Sequence, residues 1–196
     1  MRSICVFCGS SSGRDAAYSA AATSFGELLA RQNIELVWGG GNVGLMGIVA
    51  DSVLAEGGKA YGVIPSFMAD RELAHPQATE LAVVGSMHIR KAAMADRADG
   101  FVALPGGFGT LDELFEIITW AQLHIHVKPV GLLNVRGFFD PLLAMVKHMS
   151  QEGFIKAQHL GLIHVSDDPA TLLQLMRAHT APHGDWLGQK LSNTLG

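Results

Sequence analysis

The chain has 196 residues, of which 48% are hydrophobic and 16% charged, with 23 glycines. This composition predicts one compact α/β domain over residues 1–180 and a tail with little periodicity over residues 181–196. The formal net charge is −4, and the basic residues are scattered, which argues against a nucleic-acid partner. No apolar run reaches about 18 residues, so no membrane span is expected.

Short apolar runs alternate with helical patterns along the chain. Strands are predicted at Ser3–Cys8, Ile34–Trp38, Ala60–Ile64, Leu81–Val84, Phe101–Leu104, Val130–Leu133 and Leu162–Val165. Helices are predicted at Ala16–Arg31, Leu45–Glu56, Met87–Ala98, Leu111–Leu123, Pro141–Glu152 and Pro169–His179. Continuously apolar strands indicate a parallel sheet that is buried on both faces. The order predicts a Rossmann-like, doubly wound, mostly parallel sheet of about seven strands with helices on both faces.

Three glycine-rich turns follow predicted strands, at Gly9–Gly13, Gly39–Gly47 and Pro105–Gly109. In sheets of this type the ligand lies beyond the carboxyl ends of the strands, so the three turns are expected to share one pocket. Candidate phosphate or ribose loops therefore include Gly9, Ser10, Gly39, Gly40 and Gly41.

The third turn contains Gly106, Gly107 and Gly109 and leads into a helix that carries Thr110 and Glu113. Such a turn exposes backbone N–H groups that favour an anion, typically a phosphate. A capping box formed by Thr110 and Glu113 would explain those two residues alone. It would not explain three glycines, whose backbone entropy is costly, and the turn therefore favours an anion site.

The second turn matches a dinucleotide fingerprint, Gly39-x-Gly41-x-x-Gly44. It follows the second predicted strand rather than the first. The acidic residue expected about 20 positions later is also missing, because that region reads from Lys59 to Pro65 without one. A mononucleotide is therefore a better expectation than NAD, and no cofactor is predicted.

Cys5 and Cys8 are the only cysteines. Positions i and i+3 of a strand point to opposite faces, so two buried, free thiols in a reducing cytoplasm are expected. His124 and His126 lack further ligands of zinc type nearby and are interpreted as structural or interface residues, so no metal is predicted.

Three ordered segments carry a family resemblance: Gly39–Gly47, Met87–Lys91 and Pro105–Glu113. Together they resemble the LONELY GUY (LOG) family of cytokinin riboside 5′-monophosphate phosphoribohydrolases, many of which are labelled lysine decarboxylases. The resemblance runs from about Ile4 to Ile155. It implies a homodimer that hydrolyses the N-glycosidic bond of AMP or of N6-substituted adenosine monophosphates, releasing the free base and ribose 5-phosphate.

The resemblance also implies roles for individual residues. The family's active-site arginine and glutamate correspond to Arg90 and Glu113. Its nucleotide contacts correspond to the following positions, with Gly106 added from the glycine turn: Glu72, Arg90, Lys91, Gly107, Phe108, Gly109, Thr110, Leu111, Asp112, Glu113 and Thr119. Lys91 points away from Arg90 by about 100° on a helix, so contact with the phosphate and simple solvation remain equal alternatives.

The residue types fit this chemistry. Departure of a purine leaves an oxocarbenium-like sugar, which needs a nearby anion and a positioned water. Glu113 is expected in the first turn of its helix, where the dipole favours the ionised carboxylate, a stabiliser or general base. Arg90 offers a permanent charge and a planar fork for phosphate or for Glu113.

Two further expectations concern partners. A second function, from a different class, is a non-catalytic carrier of a nucleotide or of molybdenum cofactor, because such carriers share the fold and a related glycine turn. The apolar stretch Leu114–Leu123, with Met87, Met94 and Phe115, predicts a homodimer, since it is more apolar surface than one thin α/β layer covers.

Overall fold

The computed structural model describes residues 1–69 and 73–181 and contains one sheet of seven parallel strands. The strands are β1 (Ser3–Phe7), β2 (Glu35–Trp38), β3 (Ala60–Pro65), β4 (Glu80–Val84), β5 (Phe101–Ala103), β6 (Val130–Leu133) and β7 (Ile163–Ser166). All seven predicted strands are confirmed, with ends that differ by no more than one residue. Glu72 and positions 182–196 of the expected tail lie outside the described residues.

Seven α-helices connect the described strands. They are α1 (Ala16–Arg31), α2 (Gly44–Ala55), α3 (Ser66–Ala69), α4 (Met87–Arg97), α5 (Phe108–Gln122), α6 (Asp140–Gln151) and α7 (Pro169–Arg177). The short helix α3 was not predicted, because a single turn carries no apolar period. Helix α5 begins three residues before its predicted start, a difference that changes the site.

The sheet order is β4-β3-β2-β1-β5-β6-β7. Strands β2 to β4 are therefore added on one side of β1, and strands β5 to β7 on its other side. The topological switch point lies between β1 and β5, which pair in parallel with Cys5 opposite Phe101. Ligands of doubly wound sheets bind in the crevice that opens at this point, beyond the carboxyl ends of the strands. The predicted fold class is confirmed.

Two apolar layers cover the two faces of the sheet. Helices α1, α2 and α7 pack on one face, and α4, α5 and α6 pack on the other. Cys8 belongs to the first layer and Cys5 to the second, and both are free and buried, as the alternation along β1 predicted. Burial raises the pKa of both thiols. In the described ranges, no helix is long and apolar enough to cross a bilayer.

Candidate functional site

The three glycine-rich turns meet at the switch point. The backbone N–H of Leu45, at the start of α2, donates to the Gly9 carbonyl at 3.0 Å. The Gly9 N–H donates in turn to the Pro105 carbonyl at 3.1 Å. The ends of β1 and β5 and the start of α2 are thereby joined through Gly9, so the turns lie side by side, and the single pocket expected of them stays a prediction.

Helix α5 starts directly on the third turn. Gly107 occupies the N-cap position and makes no side-chain capping bond. Thr110 therefore lies inside the first turn of the helix rather than at its cap, and the capping-box alternative is wrong. The Thr110 side chain is buried, and its Oγ1 has no hydrogen-bond partner within the described structure. An unsatisfied buried hydroxyl costs about 1–3 kcal/mol, which makes this atom a candidate donor at the site.

Gly106 allows the Pro105–Gly109 turn to approach Gly9. A Cβ at position 106 would collide with Thr110 Oγ1 and lie 2.9 Å from the Gly9 nitrogen. A Cβ at Gly107 or Gly109 would meet no atom within 4 Å, which shows that these two residues border open space. The first turn of α5 is therefore tightly packed on its inner side and open to solvent on its outer side.

A cavity of about 240 Å³ opens beside this turn. Its polar wall is formed by residues 9–13 together with Pro105, Gly106 and Gly107, and its other wall by Tyr18, Leu45 and Phe138. The rings of Tyr18 and Phe138 meet edge to face with centroids 5.9 Å apart. Sequence reasoning missed both aromatic residues, because they lie on α1 and after β6, far from any motif.

Arg90 and Glu113 lie together on the other side of the turn. Arg90 Nη1 is 3.6 Å from Glu113 Oε1, and the two side chains are 8% and 12% exposed. Arg90 Nε also donates to the carbonyl of Val63, in the second half of β3, at 3.1 Å. Helix α4 thus aims a permanent charge at the carboxyl ends of the central strands, where α5 supplies the carboxylate.

The backbone of Gly39 lies directly against the guanidinium of Arg90. A Cβ at this position would overlap Arg90 Nη2 and lie 2.8 Å from Cζ. Gly39, Gly40 and Gly41 are all buried. These three residues were candidates for an open phosphate or ribose loop, and the structure instead packs them against protein, because Arg90 occupies the space above Gly39. Ser10, by contrast, is exposed.

The pKa of Glu113 is raised from 4.5 to about 7. Burial is the main cause, and the positive charge of Arg90 acts against it. The sequence-based expectation of a stably ionised carboxylate in the first helical turn is therefore wrong. Because α5 begins at Phe108, Glu113 lies in the second turn, beyond the free N–H groups, and desolvation outweighs the helix dipole.

Lys91 is neither solvated nor free. Its Nζ lies 3.1 Å from Asp112 Oδ2 and 3.2 Å from Glu116 Oε2. Burial lowers the pKa of Lys91, but hydrogen bonds to these two carboxylates more than offset that effect, and the pKa lies above its ordinary value. Lys91 therefore joins α4 to α5 beside the buried pair, which neither of the two sequence alternatives included.

The remaining predicted contacts lie on α5. Phe108 is 94% exposed at the start of the helix, and Leu111 packs partly against the core. Thr119 is exposed and donates to the Phe115 carbonyl at 2.7 Å. It lies six residues, or about 240° of rotation, beyond Glu113, so the two side chains point in different directions. A nucleotide contact by Thr119 stays a prediction.

A second cavity, of about 580 Å³, lies at the opposite end of the sheet. Its lining includes Arg2, Glu35, Arg97 and Asp99. The Glu35 carboxylate accepts two bonds from Arg97, at 2.8 and 2.9 Å, and Asp99 accepts the Arg2 backbone N–H at 2.6 Å. These carboxylates are already engaged by Arg97 and by the Arg2 backbone, so the switch point is the better candidate for chemistry.

His126, in the segment after α5, is held by the backbone through both nitrogens of its ring. His126 Nε2 donates to the Ile117 carbonyl at 3.0 Å, and Nδ1 accepts the Lys128 N–H at 3.1 Å. Both ring nitrogens are thus used by the backbone, in agreement with the structural interpretation. Within residues 1–69 and 73–181, no group of three His, Cys, Asp or Glu side chains could hold a metal ion.

A Rossmann-like sheet with a glycine-rich turn and a buried Arg–Glu pair at its switch point defines the class of this protein, a doubly wound α/β protein. Residues 46–176 match a family model described as "Possible lysine decarboxylase". The chain is 48% identical over 97% of its length to the probable cytokinin riboside 5′-monophosphate phosphoribohydrolase LOGL5 of Oryza sativa subsp. japonica, covering 78% of that protein. It is 46% identical over 96% of its length to LOG2 of Arabidopsis thaliana, a cytokinin riboside 5′-monophosphate phosphoribohydrolase, covering 88% of it. The chain belongs to this LONELY GUY family, as its motifs predicted.

Solved structures of lower identity share the fold. The molybdenum cofactor binding protein from Rippkaea orientalis superposes with a TM-score of 0.69 at 22% identity, over 90% of this chain and 95% of that one. The Moco carrier protein from Chlamydomonas reinhardtii gives 0.66 at 22% identity, over 90% and 98%. At this identity the likeness establishes architecture alone.

The raised pKa of Glu113 makes stability depend on pH. The folded chain holds this proton more tightly than the unfolded chain, so the free energy of unfolding should fall as the pH rises from 4.5 to about 7. This contribution is at most about 3 kcal/mol. Glu113→Gln should lack it, whereas the exposed Asp167→Asn should retain it. Urea unfolding at pH 5 and pH 8 measures the difference, and parallel pH dependences for wild type and Glu113→Gln would contradict the raised pKa.

Proposed function

We propose that this protein hydrolyses the N-glycosidic bond of adenosine 5′-monophosphates, both AMP and N6-substituted forms such as cytokinin riboside 5′-monophosphates. The products are the free base and ribose 5-phosphate. The observation that carries the proposal is the buried Arg90–Glu113 pair beside an anion cradle. Relatives that are nearly half identical to the chain are named for this reaction.

The 5′-phosphate binds at the start of α5 in this proposal. Thr110 Oγ1 is a buried donor without a partner in the described structure, and the neighbouring Gly107 and Gly109 border open space at the same turn. The free N–H groups and the positive end of the helix dipole add further attraction for a dianion. A phosphate there would satisfy the hydroxyl that the protein leaves unpaired.

The reacting carbon then lies near Glu113. The bond between the sugar carbon and the purine nitrogen breaks, its electron pair leaves with the purine, and an ionised carboxylate stabilises the oxocarbenium character of the ribose. Glu113 takes a proton from the attacking water, whose oxygen bonds to the sugar carbon, and that proton passes on to the purine, so that the products are the neutral base and ribose 5-phosphate. A pKa of about 7 lets Glu113 change protonation state near neutral pH, which suits proton transfer. Arg90 has a permanent charge that keeps the ionised form accessible in a buried position.

The alternative function is a non-catalytic carrier of a nucleotide or of molybdenum cofactor. Its support is the shared architecture of two carrier structures, each at 22% identity. A carrier needs no carboxylate with a pKa near neutrality beside a buried arginine. Release of adenine from AMP over hours, followed by chromatography, separates the two functions, and a panel of N6-substituted monophosphates then ranks the substrates.

We also propose a homodimer formed through the exposed face of α5. Phe108, Phe115 and Leu123 are 94%, 36% and 37% exposed and recur at a spacing that places them on one side of the helix. Met94, which the sequence also offered for the interface, is buried in the core instead. A stable pair should bury about 1,600 Å² or more in total.

We also propose that the protein is located in the cytoplasm. Two free, buried thiols are compatible with a reducing compartment. Fractionation of the source cells tests this location.

Selectivity for the phosphate should depend on the Thr110 hydroxyl. Thr110→Val keeps the shape of the side chain, so stability should be unchanged or higher, because an unsatisfied group is removed. The kcat/KM for AMP should fall by about tenfold or more, the scale of a lost bond to a charged group. The rate with adenosine should not change. Thr23→Val on α1 is the control. Equal losses of kcat/KM with AMP and with adenosine would contradict the assignment of the phosphate to this turn.

Glu113→Gln should reduce kcat by roughly 10²-fold or more, because it removes the charge and the proton acceptor but keeps the size. The wild-type rate should rise with pH through about 7, and the rate of the variant should not show this rise. Glu152→Gln, the same change at an exposed glutamate at the end of α6, is the matched control. A folded Glu113→Gln protein with near wild-type turnover would end the catalytic assignment.

The dimer should have twice the 20.8 kDa mass of one chain in light scattering at micromolar concentration. Phe115→Glu should produce the monomer, because it would bury a charge in the apolar interface. Leu175→Glu, on α7 at the other face of the sheet, should leave the dimer intact. A wild-type mass equal to that of one chain would overturn the proposal.

A further inference from the structure

The position of Arg90 depends on a short backbone segment, Gly39–Gly41, which we call the glycine loop. Gly39 lies directly under the guanidinium, so a small displacement of the loop changes where Arg90 can lie. Arg90 Nη1 is 3.6 Å from Glu113 Oε1. The loop is therefore part of the machinery that sets the distance between the two charged groups.

The segment Leu73–His75 holds the glycine loop from the side opposite Arg90. The His75 N–H donates to the Gly40 carbonyl at 2.8 Å, and the Asn42 N–H donates to the Leu73 carbonyl at 3.0 Å. Gly41 and Ala74 form an isolated antiparallel bridge. These contacts align the segment with the loop as a miniature sheet, so that any movement of the segment is passed to the loop.

The imidazole of His75 fastens this segment to the body of the protein. Its side chain is 3% exposed, and Nε2 lies 3.0 Å from Asp51 Oδ1 on α2. Nδ1 accepts the Gln77 N–H at 3.2 Å, so the proton of the neutral ring is assigned to Nε2, which donates to Asp51. The ring meets the indole of Trp38 edge to face, with centroids 5.9 Å apart.

Trp38 completes the attachment from the sheet. It ends β2, is fully buried, and donates from Nε1 to the Gly41 carbonyl at 3.1 Å. The three side chains of Trp38, Asp51 and His75, which we call the His75 clamp, therefore fix both the loop and the segment that pairs with it. None of the clamp's side-chain atoms is part of the Arg90–Glu113 pair.

We propose that His75 is a positioning residue, which acts through the glycine loop to hold Arg90 at its working distance from Glu113. The inference rests on the proposed function for its effect on turnover, and on geometry alone for its effect on the pair. His75 belongs to no glycine turn or charged motif, and the clamp makes a buried imidazole on the far side of the loop part of the reaction site.

The test compares base release from AMP by the wild type, His75→Ala and His75→Gln. In His75→Ala, kcat should fall by about 10-fold to 10²-fold, the cost of misplacing a catalytic group by a fraction of an ångström to an ångström. The KM for AMP should change by less than about threefold, because the phosphate cradle on α5 is untouched. His75→Gln retains an N–H donor for Asp51 and should recover most of the activity.

A second measurement does not depend on activity. The charge of Arg90 lowers the pKa of Glu113. If Arg90 withdraws in His75→Ala, the Glu113 carboxyl should titrate at a higher pH than in the wild type. Carbon-13 NMR of labelled glutamate carboxyls, with Glu113→Gln for assignment, measures this directly. A merely structural role for His75 would reduce stability without moving that titration.

Leu172→Ala is the control for general destabilisation. Leu172 is fully buried on α7, and its truncation should lower the thermal stability of the fold without removing any side chain of the clamp. The proposal is overturned if His75→Ala keeps the wild-type kcat and Glu113 titration, or if Leu172→Ala loses as much turnover. If the wild type releases no base, the proposed reaction fails, and the NMR titration alone then decides whether the clamp positions Arg90.

Discussion

The burial of the Arg90 guanidinium is the constraint on which the rest of the site depends. A charge that is removed from water costs several kcal/mol unless donors and counter-charge are satisfied. Arg90 meets this requirement with the Val63 carbonyl at 3.1 Å and the Glu113 carboxylate at 3.6 Å. Its planar fork also needs flat space, which only a residue without a side chain can leave at position 39. The buried guanidinium of Arg90 therefore requires a glycine after β2, a free carbonyl in β3 and a carboxylate on α5.

The same burial gives Glu113 its chemical character. Desolvation raises its pKa, Arg90 lowers it, and the nearby negative charges of Asp112 and Glu116 raise it again. Lys91 contacts both of those outer carboxylates and itself acts to lower the pKa of Glu113. The balance is a carboxyl group that titrates near neutrality, which neither full exposure nor a fully dry pocket would give. Arg90 and Lys91 are adjacent on α4, and both lower the pKa of Glu113: Arg90 contacts its carboxylate directly, and Lys91 contacts the neighbouring carboxylates.

The sequence predicted the sheet well and the electrostatics poorly, for separate physical reasons. Parallel strands buried on both faces are continuous apolar runs, so their ends were located to within one residue. The start of α5 was placed too late because Phe108 and Gly109 are poor indicators of a helix, and that error put Glu113 in the wrong turn. Its pKa depends on burial by distant elements, and His75 reaches the site only through backbone contacts. Neither property has a local sequence pattern.

The crossing of the turns explains why glycine is needed where the two halves of the site meet. The cavity bounded by Tyr18 and Leu45 lies on the α1 and α2 side of the switch point, whereas the Arg90–Glu113 pair lies on the α4 and α5 side. Gly9 and Gly106 lie against each other where the turns meet, and a Cβ at Gly106 would collide with the unpaired Thr110 hydroxyl. A Cβ at Gly106 would also lie 2.9 Å from the Gly9 nitrogen, which donates to the Pro105 carbonyl. The hydrogen bond that joins the ends of β1 and β5 and the packing of Thr110 therefore both require a residue without a side chain at this position.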